Sequence, residues 1–220
     1  MTATSTTAVS LAAAHDTISV AFQGERGAYG DEAIAQHWRG AATAIPSLSF
    51  EQVVAHVASG LADCGMIPVW NTIIGEIVQG SAVVRASQSA TYGLTVTGAV
   101  SIVVRHQLLG LPESSLGEIA SVASHPVALA QCERFLAQHP GMVSKPVYDT
   151  AGAARDLAIN GTLLSAAIAG SLAAERYGLV TLAENIQNIP HNITRFLILA
   201  RAGNEGDASG EIEAGWSVRW

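Results

Sequence analysis

Cysteine is scarce: Cys64 and Cys132 are the only two in 220 residues, far apart and in no metal-ligand spacing. A disulfide framework and a cysteine-based metal site are therefore both disfavoured, and the two read as small buried hydrophobes of a chain in a reducing, cytoplasmic compartment. Positive charge is also sparse. Eleven Lys and Arg against eighteen Asp and Glu give a net charge of −7 and a pI near 5.4, which argues against nucleic acid or an anionic membrane as partner. An anionic ligand must then be held by local positive groups. No apolar run approaches the ~20 residues of a membrane span. Residues 1–16 are rich in Ala, Ser and Thr with no Lys or Arg ahead of a short apolar run, a poor export signal that reads as a disordered leader. What is abundant is apolar: 49% of the chain, enough for one substantial core or two lobes of ~100 residues each.

The pattern alternates strands and helices. Ile18–Phe22 is β-rich, Gln23–Gly30 a glycine-punctuated turn, and Asp31–Trp38 a helix. Phe50–Ala58 has helical spacing, Ala62–Val69 reads as a buried strand, and Val96–Val104 is a longer β-branched run. A second block follows: a strand ending at Ala123, a turn at Ser124–Pro126, and a helix over Val127–Gln138. Val143–Tyr148 is extended, Ala151–Ile159 helical, Ala166–Ala169 a short strand, and Leu172–Tyr177 a helix with Gly178 as its C-cap. Two such blocks predict an α/β protein of two lobes, residues 17–97 plus 190–202 and residues 98–189, with the crossover near Thr97 and a cleft between them. The turns Gly24–Gly30, Pro68–Thr72 and Ser124–Pro126 all follow strands and are expected to face that cleft. Residues 203–220 read as an acidic, glycine-rich tail ending in a small alternating segment, Trp216–Trp220.

Asn192–Phe196 (NITRF) concentrates a hydroxyl, a guanidinium and a ring at the head of an apolar strand. Alternation puts Thr194 and Phe196 on one face and Arg195 on the other, so only a cleft or bend brings Thr194 and Arg195 to one ligand. Taken alone, the segment reads as a capping Thr and a surface Arg beside a core strand.

Together with other blocks it resembles the catalytic domain of prephenate dehydratases. The blocks are Ala21–Ala33 (AFQGERGAYGDEA), Ile67–Gly75 (IPVWNTIIG), Ser124–Leu136 (SHPVALAQCERFL), Tyr148–Ala154 (YDTAGAA), Ala166–Leu179 (AAIAGSLAAERYGL) and Asn192–Leu199 (NITRFLIL), in the family's order. The resemblance implies a two-lobed, periplasmic-binding-protein-like (type II) α/β domain, prephenate as substrate, no cofactor and no metal, and a homodimer or larger assembly. It also implies loss of water and carbon dioxide from the ring as it becomes aromatic, giving phenylpyruvate. Many members carry a C-terminal ACT domain, and none is expected before Trp220.

By the same resemblance Thr194 is the hydrogen-bond donor to the departing hydroxyl, and Arg195 the fork that holds the pyruvyl carboxylate. Asn71, Ser124 and Gln131 join Thr194 as catalytic polar groups, while Ala28, Tyr29, Thr72, Thr150 and Phe196 contact substrate. Plainer roles compete: Asn71 as a turn former, Ser124 as the N-cap of the following helix, Gln131 as an exposed helical residue, Phe196 as core. Trp70 stands where the family has Glu, Gly30 where it has Ser or Thr, and Ala99 where an acidic residue is common. If Trp70 enters the cleft the pocket is drier, which keeps a non-aromatising prephenate decarboxylase in view. Arogenate as substrate and a non-catalytic small-acid binder stay open as well. His106, His125 and His191 fit no metal spacing and read as structural.

Overall fold

A computed structural model of the chain describes residues 17–203. The leader over 1–16, the tail from 204 onward and the Trp216–Trp220 segment lie outside the described residues. The first lobe begins with β1 (Ile18–Gln23), α1 (Tyr29–His37), β2 (Ala42–Ser47), α2 (Phe50–Ser59) and β3 (Cys64–Asn71). It continues through β4 (Gly75–Glu76), α3 (Val78–Ser87) and β5 (Leu94–Val103). The second lobe holds β6 (Gln107–Gly110), β7 (Ser121–Ser124), α4 (Pro126–Gln131), α5 (Glu133–Ala137) and β8 (Val143–Pro146). After these come α6 (Thr150–Asn160), β9 (Ser165–Ala169), α7 (Ser171–Tyr177) and β10 (Val180–Ala183). The chain then returns to the first lobe as β11 (Ile193–Arg201).

Each lobe has its own sheet. The first runs β2-β1-β3-β11-β5, with β4 added on β3, and the second runs β10-β6-β9-β7-β8. The molecule is thus a two-lobed α/β protein whose chain crosses between lobes twice. The crossing itself corrects the expected boundary. β5 pairs with β11 from Leu94 through Val103, with Thr97 as the extra residue of a bulge, so the passage lies at Val104–His106 and not near Thr97. The two crossings touch there, Val104 N–H donating to the Asn192 carbonyl at 2.7 Å.

β11 divides the core by strand parity. Phe196 and Ile198 join Val20, Phe22 and Met66 on one face, while Leu197 and Leu199 join Val53, Val57 and Val84 under α2 and α3 on the other. The helix α2 starts where its sequence says it should: the Ser49 hydroxyl accepts from Gln52 N–H, and the Gln52 side chain accepts from Leu48 N–H. At Gly80 on α3 a Cβ would lie 1.9 Å from the Pro68 carbonyl oxygen, so only glycine lets this helix press on β3. The single helix expected over Val127–Gln138 is broken at Cys132, which has φ −111° and ψ 15° and ends α4.

Candidate active site

A break in strand alternation builds the site. Along β11, Thr194, Arg195 and Phe196 face Asn71, Trp70 and Pro68 of β3, so Val69 is the extra residue of a β-bulge. Strict alternation would put Asn71 on the face of Ile67 and Val69, beneath α2 and α3. The bulge turns Asn71 to the opposite face, beside Thr194, and turns Trp70 away from it. Pro68, which has no N–H to give a ladder, sits at this irregularity and beyond the last β1 partner, Met66.

Asn71 is buried and every atom of its amide is used. Its Oδ1 accepts from the backbone N–H groups of Ile73 and Ile74 at 2.9 and 3.3 Å. Its Nδ2 donates to Asn192 Oδ1 at 2.7 Å and to Thr194 Oγ1 at 2.9 Å. The backbone anchor orients everything downstream. Asn192 Oδ1 is an acceptor, so its Nδ2 donates to Gln131 Oε1 at 3.0 Å. Gln131 Oε1 therefore accepts again, from His106 Nε2 at 2.8 Å, and the His106 Nδ1 faces the Tyr29 hydroxyl at 2.8 Å. A continuous polar chain runs from the strand head of the first lobe across both crossings to α4 and α1.

These groups line a chamber of about 160 Å³ that also takes in Thr150, His125, Ile74, Ile77, Val104, Val127 and Ala128. Beside it lies an apolar annex of about 370 Å³, walled by Ile73, Ile74, Val127, Ala130, Gln131, Asn188 and Ile189, so that Ile74, Val127 and Gln131 belong to both. The chamber alone is smaller than the ~300–1,000 Å³ usual for a ligand site, and with the annex it is within that range. No Lys, Arg, Asp or Glu is among the described residues lining either. What the wall offers is donors. The Thr194 hydroxyl is engaged as an acceptor, and neither its hydrogen nor the Gln131 amide hydrogens have an acceptor among the described residues.

Of the ten residues expected to form the site, Thr194, Asn71, Gln131, Tyr29 and Thr150 line the chamber, and five do not. Ser124 is fully buried behind it, donating to the Ile168 carbonyl at 2.6 Å, and the N-cap of α4 is His125, whose Nδ1 accepts from Val127 N–H at 3.3 Å. Arg195 stands opposite Trp70 and Ser101 on the other face of the sheet, so it does not share the cavity of Thr194. Thr72 spends its hydroxyl closing the ladder, donating to the His191 carbonyl and accepting from Ile193 N–H, both at 2.9 Å. Ala28 and Phe196 are core residues, 7% and 4% exposed. Neither substituted family position enters the chamber. Trp70 lies across the sheet, 41% exposed, and Gly30 is packed on Phe22, where a Cβ would meet the ring at 2.9 Å.

The glycine turn serves mainly as a clasp between lobes. Arg155 of α6 pairs with Glu25 at 2.6 Å, Tyr148 donates to Glu25 at 2.9 Å, and Tyr177 donates to the Arg26 carbonyl at 2.7 Å. Arg176 of α7 reaches the buried Asp31 at 3.2 Å. Only Tyr29 of that turn reaches the chamber.

Asn192 and His106 are the site residues the sequence does not single out. Asn192 is fully buried at the centre of the chain of amides, and His106, expected to be structural, is 2% exposed at its far end. Burial lowers the His106 pKa below the ordinary imidazole value, with the Gln131 hydrogen bond opposing it. Burial first, then the nearby Glu32 and Cys132, raises the Tyr29 phenol well above its ordinary range.

Comparison with known proteins places this geometry. The family model of prephenate dehydratase matches residues 20–204. The chain is 36% identical over 184 residues to the arogenate dehydratase/prephenate dehydratase 2 of Arabidopsis thaliana, a match covering 84% of this chain and 46% of that protein. It is 36% identical over 182 residues to a bifunctional N-acyl-homoserine lactone acylase/prephenate dehydratase of Komagataeibacter europaeus, covering 83% of this chain and 62% of that one. The chain thus spans about half the length of the curated relatives it matches. Among solved structures, the prephenate dehydratase of Arthrobacter aurescens in complex with L-Phe superposes with a TM-score of 0.74 at 27% identity, over 84% of this chain and 61% of that one. With the family's pattern matched from the first strand of the first lobe through the returning β11, this chain belongs to the prephenate dehydratase family.

Proposed function

We propose that this chain catalyses the decarboxylating dehydration of prephenate to phenylpyruvate, with Thr194 donating a hydrogen bond to the departing ring hydroxyl. The observation that carries this reading is the direction of the Asn71 amide. Because Asn71 donates to Thr194 Oγ1, the threonine hydrogen is left to point into the chamber. A threonine is too weak an acid to transfer its proton outright, so it works as a preorganised donor, strongest where negative charge gathers on the leaving oxygen. Gln131 supplies further neutral donors, and the apolar side of the chamber leaves a ring carboxylate poorly solvated, which favours its loss as carbon dioxide. Ser124 acts from behind by tying β7 to β9 and so seating α4. The test is incubation of the protein with prephenate at neutral pH while the ultraviolet spectrum of phenylpyruvate is followed; prephenate left unconsumed would overturn the assignment.

The absence of a carboxylate among the described chamber residues favours prephenate over arogenate, whose ammonium would have no partner there. The position of Trp70 and Gly30 outside the chamber removes the motive for a non-aromatising decarboxylase. The annex supports one second reading, hydrolysis of an N-acyl-homoserine lactone, with the acyl chain along Ile73, Ile74 and Ile189. Release of free homoserine lactone from such a substrate tests it. A cytoplasmic setting is supported by Cys64 and Cys132, buried in separate apolar clusters with no disulfide between them. No helix among the described residues is long and apolar enough to cross a membrane. Self-association is supported by Ile159, Leu163 and Leu164, exposed apolar residues at the end of α6, and gel filtration tests it.

A further inference from the structure

The proposed substrate is a dianion, yet neither Lys nor Arg is among the described residues lining the chamber or the annex. Two histidines are. His125 uses its Nδ1 as the acceptor that caps α4, so an added proton there would break the cap. His106 is arranged differently. The amide chain requires a hydrogen on its Nε2, aimed at Gln131 Oε1, whatever the charge of the ring. Its Nδ1 and the Arg105 carbonyl both stand within reach of the Tyr29 hydroxyl, at 2.8 and 3.1 Å. With a neutral ring these are two acceptors for one phenolic hydrogen. With an imidazolium, Nδ1–H donates to Tyr29 and Tyr29 donates to Arg105, so every hydrogen has its own acceptor.

We infer that His106 supplies the positive charge the chamber otherwise lacks, taking up a proton when the dianionic substrate binds and returning it on release. The inference rests on the reading of the site given above. The groups around the ring do not preset its charge. Tyr29 faces it from α1 and Gln131 from α4, Gln187 bonds its backbone N–H, and Arg105 precedes it; Glu32 and Cys132 lie near Tyr29, with Glu32 and Arg105 of opposite sign and close enough to act on each other. Burial keeps the free imidazole neutral near pH 7. A bound dianion raises its pKa, because the charged form is then the favoured one. Affinity is therefore full below the pKa of the free ring, falls by up to about tenfold per pH unit between that pKa and the raised bound-state pKa, and levels off above the latter.

The test is calorimetric titration of prephenate into the Thr194→Ala protein, which binds without efficient turnover, at pH 7.5 in phosphate and in Tris. The expected result is a heat that depends on the buffer in the sense of uptake of up to about one proton, and loss of that dependence in Thr194→Ala/His106→Gln. Nitrogen NMR of histidine-labelled Thr194→Ala protein checks the same transition without a second substitution: the His106 signals move from the Nε2–H tautomer to imidazolium on addition of prephenate. Binding with a buffer-independent heat, or uptake that survives the His106 substitution, overturns the inference and leaves the site assignment standing. Absence of binding overturns the assignment, and the inference with it.

Discussion

Thr194 accepts a hydrogen bond from Asn71 across 2.9 Å, and that bond determines what the threonine has left to give. The donor direction is not a property of the pair alone. It is imposed by Ile73 and Ile74, whose backbone N–H groups claim the Asn71 carbonyl oxygen and leave only its nitrogen for Thr194.

Thr194→Ala removes the donor and leaves the surrounding amides in place. The turnover number for prephenate is expected to fall by about 10²–10⁴ with little change in KM, since the bond matters most as the hydroxyl departs. Thr194→Ser keeps the oxygen and is expected to retain most of the rate. Steady-state kinetics of the two variants check this, and an equal loss of binding and turnover in Thr194→Ala would point to a binding role instead.

Asn71→Asp is nearly isosteric yet inverts the logic. One carboxylate oxygen still accepts from Ile73 and Ile74, but the other meets Thr194 as an acceptor, drawing the hydroxyl hydrogen out of the chamber, and opposes Asn192 Oδ1. A loss of activity of at least about tenfold is expected, with a rise in KM from the added negative charge. Asn71→Ser, small and neutral, is expected to cost less in KM. Kinetics read against circular dichroism separate this from misfolding.

Much of this arrangement is legible in the sequence, because it follows from periodicity and from end signals. The helical spacing from Phe50, the Gly178 end of α7 and the split of β11 into two core faces are local, and the structure agrees with them. The bulge at Val69 is not local. Alternation alone puts Trp70 on the face of Met66 and Pro68, toward the cleft, and Asn71 away from it, the reverse of what the pairing with β11 produces. The short strands β2, β6 and β10 are hidden in the sequence for a related reason: their pairing partners, not their own residues, make them strands. His106 carries no signal of its own, since its neighbours Tyr29 and Gln131 are brought to it by two helices distant in sequence.

Trp70→Glu restores the residue the family usually has and tests the bulge directly. On the face observed here, 41% exposed and opposite Arg195, the substitution is expected to leave kcat/KM within about threefold, as expected for a surface charge largely screened by solvent. A change of about tenfold or more would place position 70 in the substrate cavity and overturn the role given to the bulge.

Gly27→Ala tests the clasp between the lobes. Gly27 has φ +86°, and a Cβ on it would lie 2.8 Å from the Ala173 Cα, so the substitution strains the turn and presses on α7 at once. The left-handed conformation alone costs roughly 1 kcal/mol, and the contact with backbone cannot be relieved by a side-chain rotation. Relief requires α7 to move away from the turn, which loosens the Arg176–Asp31 and Arg155–Glu25 pairs that hold α7 and α6 to the first lobe. Because Tyr29 begins α1 two residues later and reaches His106 across the same interface, the chamber wall shifts with it. The expected outcome is a loss of ~1–3 kcal/mol in urea unfolding together with a raised KM for prephenate, whereas a simple turn defect lowers stability and leaves KM where it was.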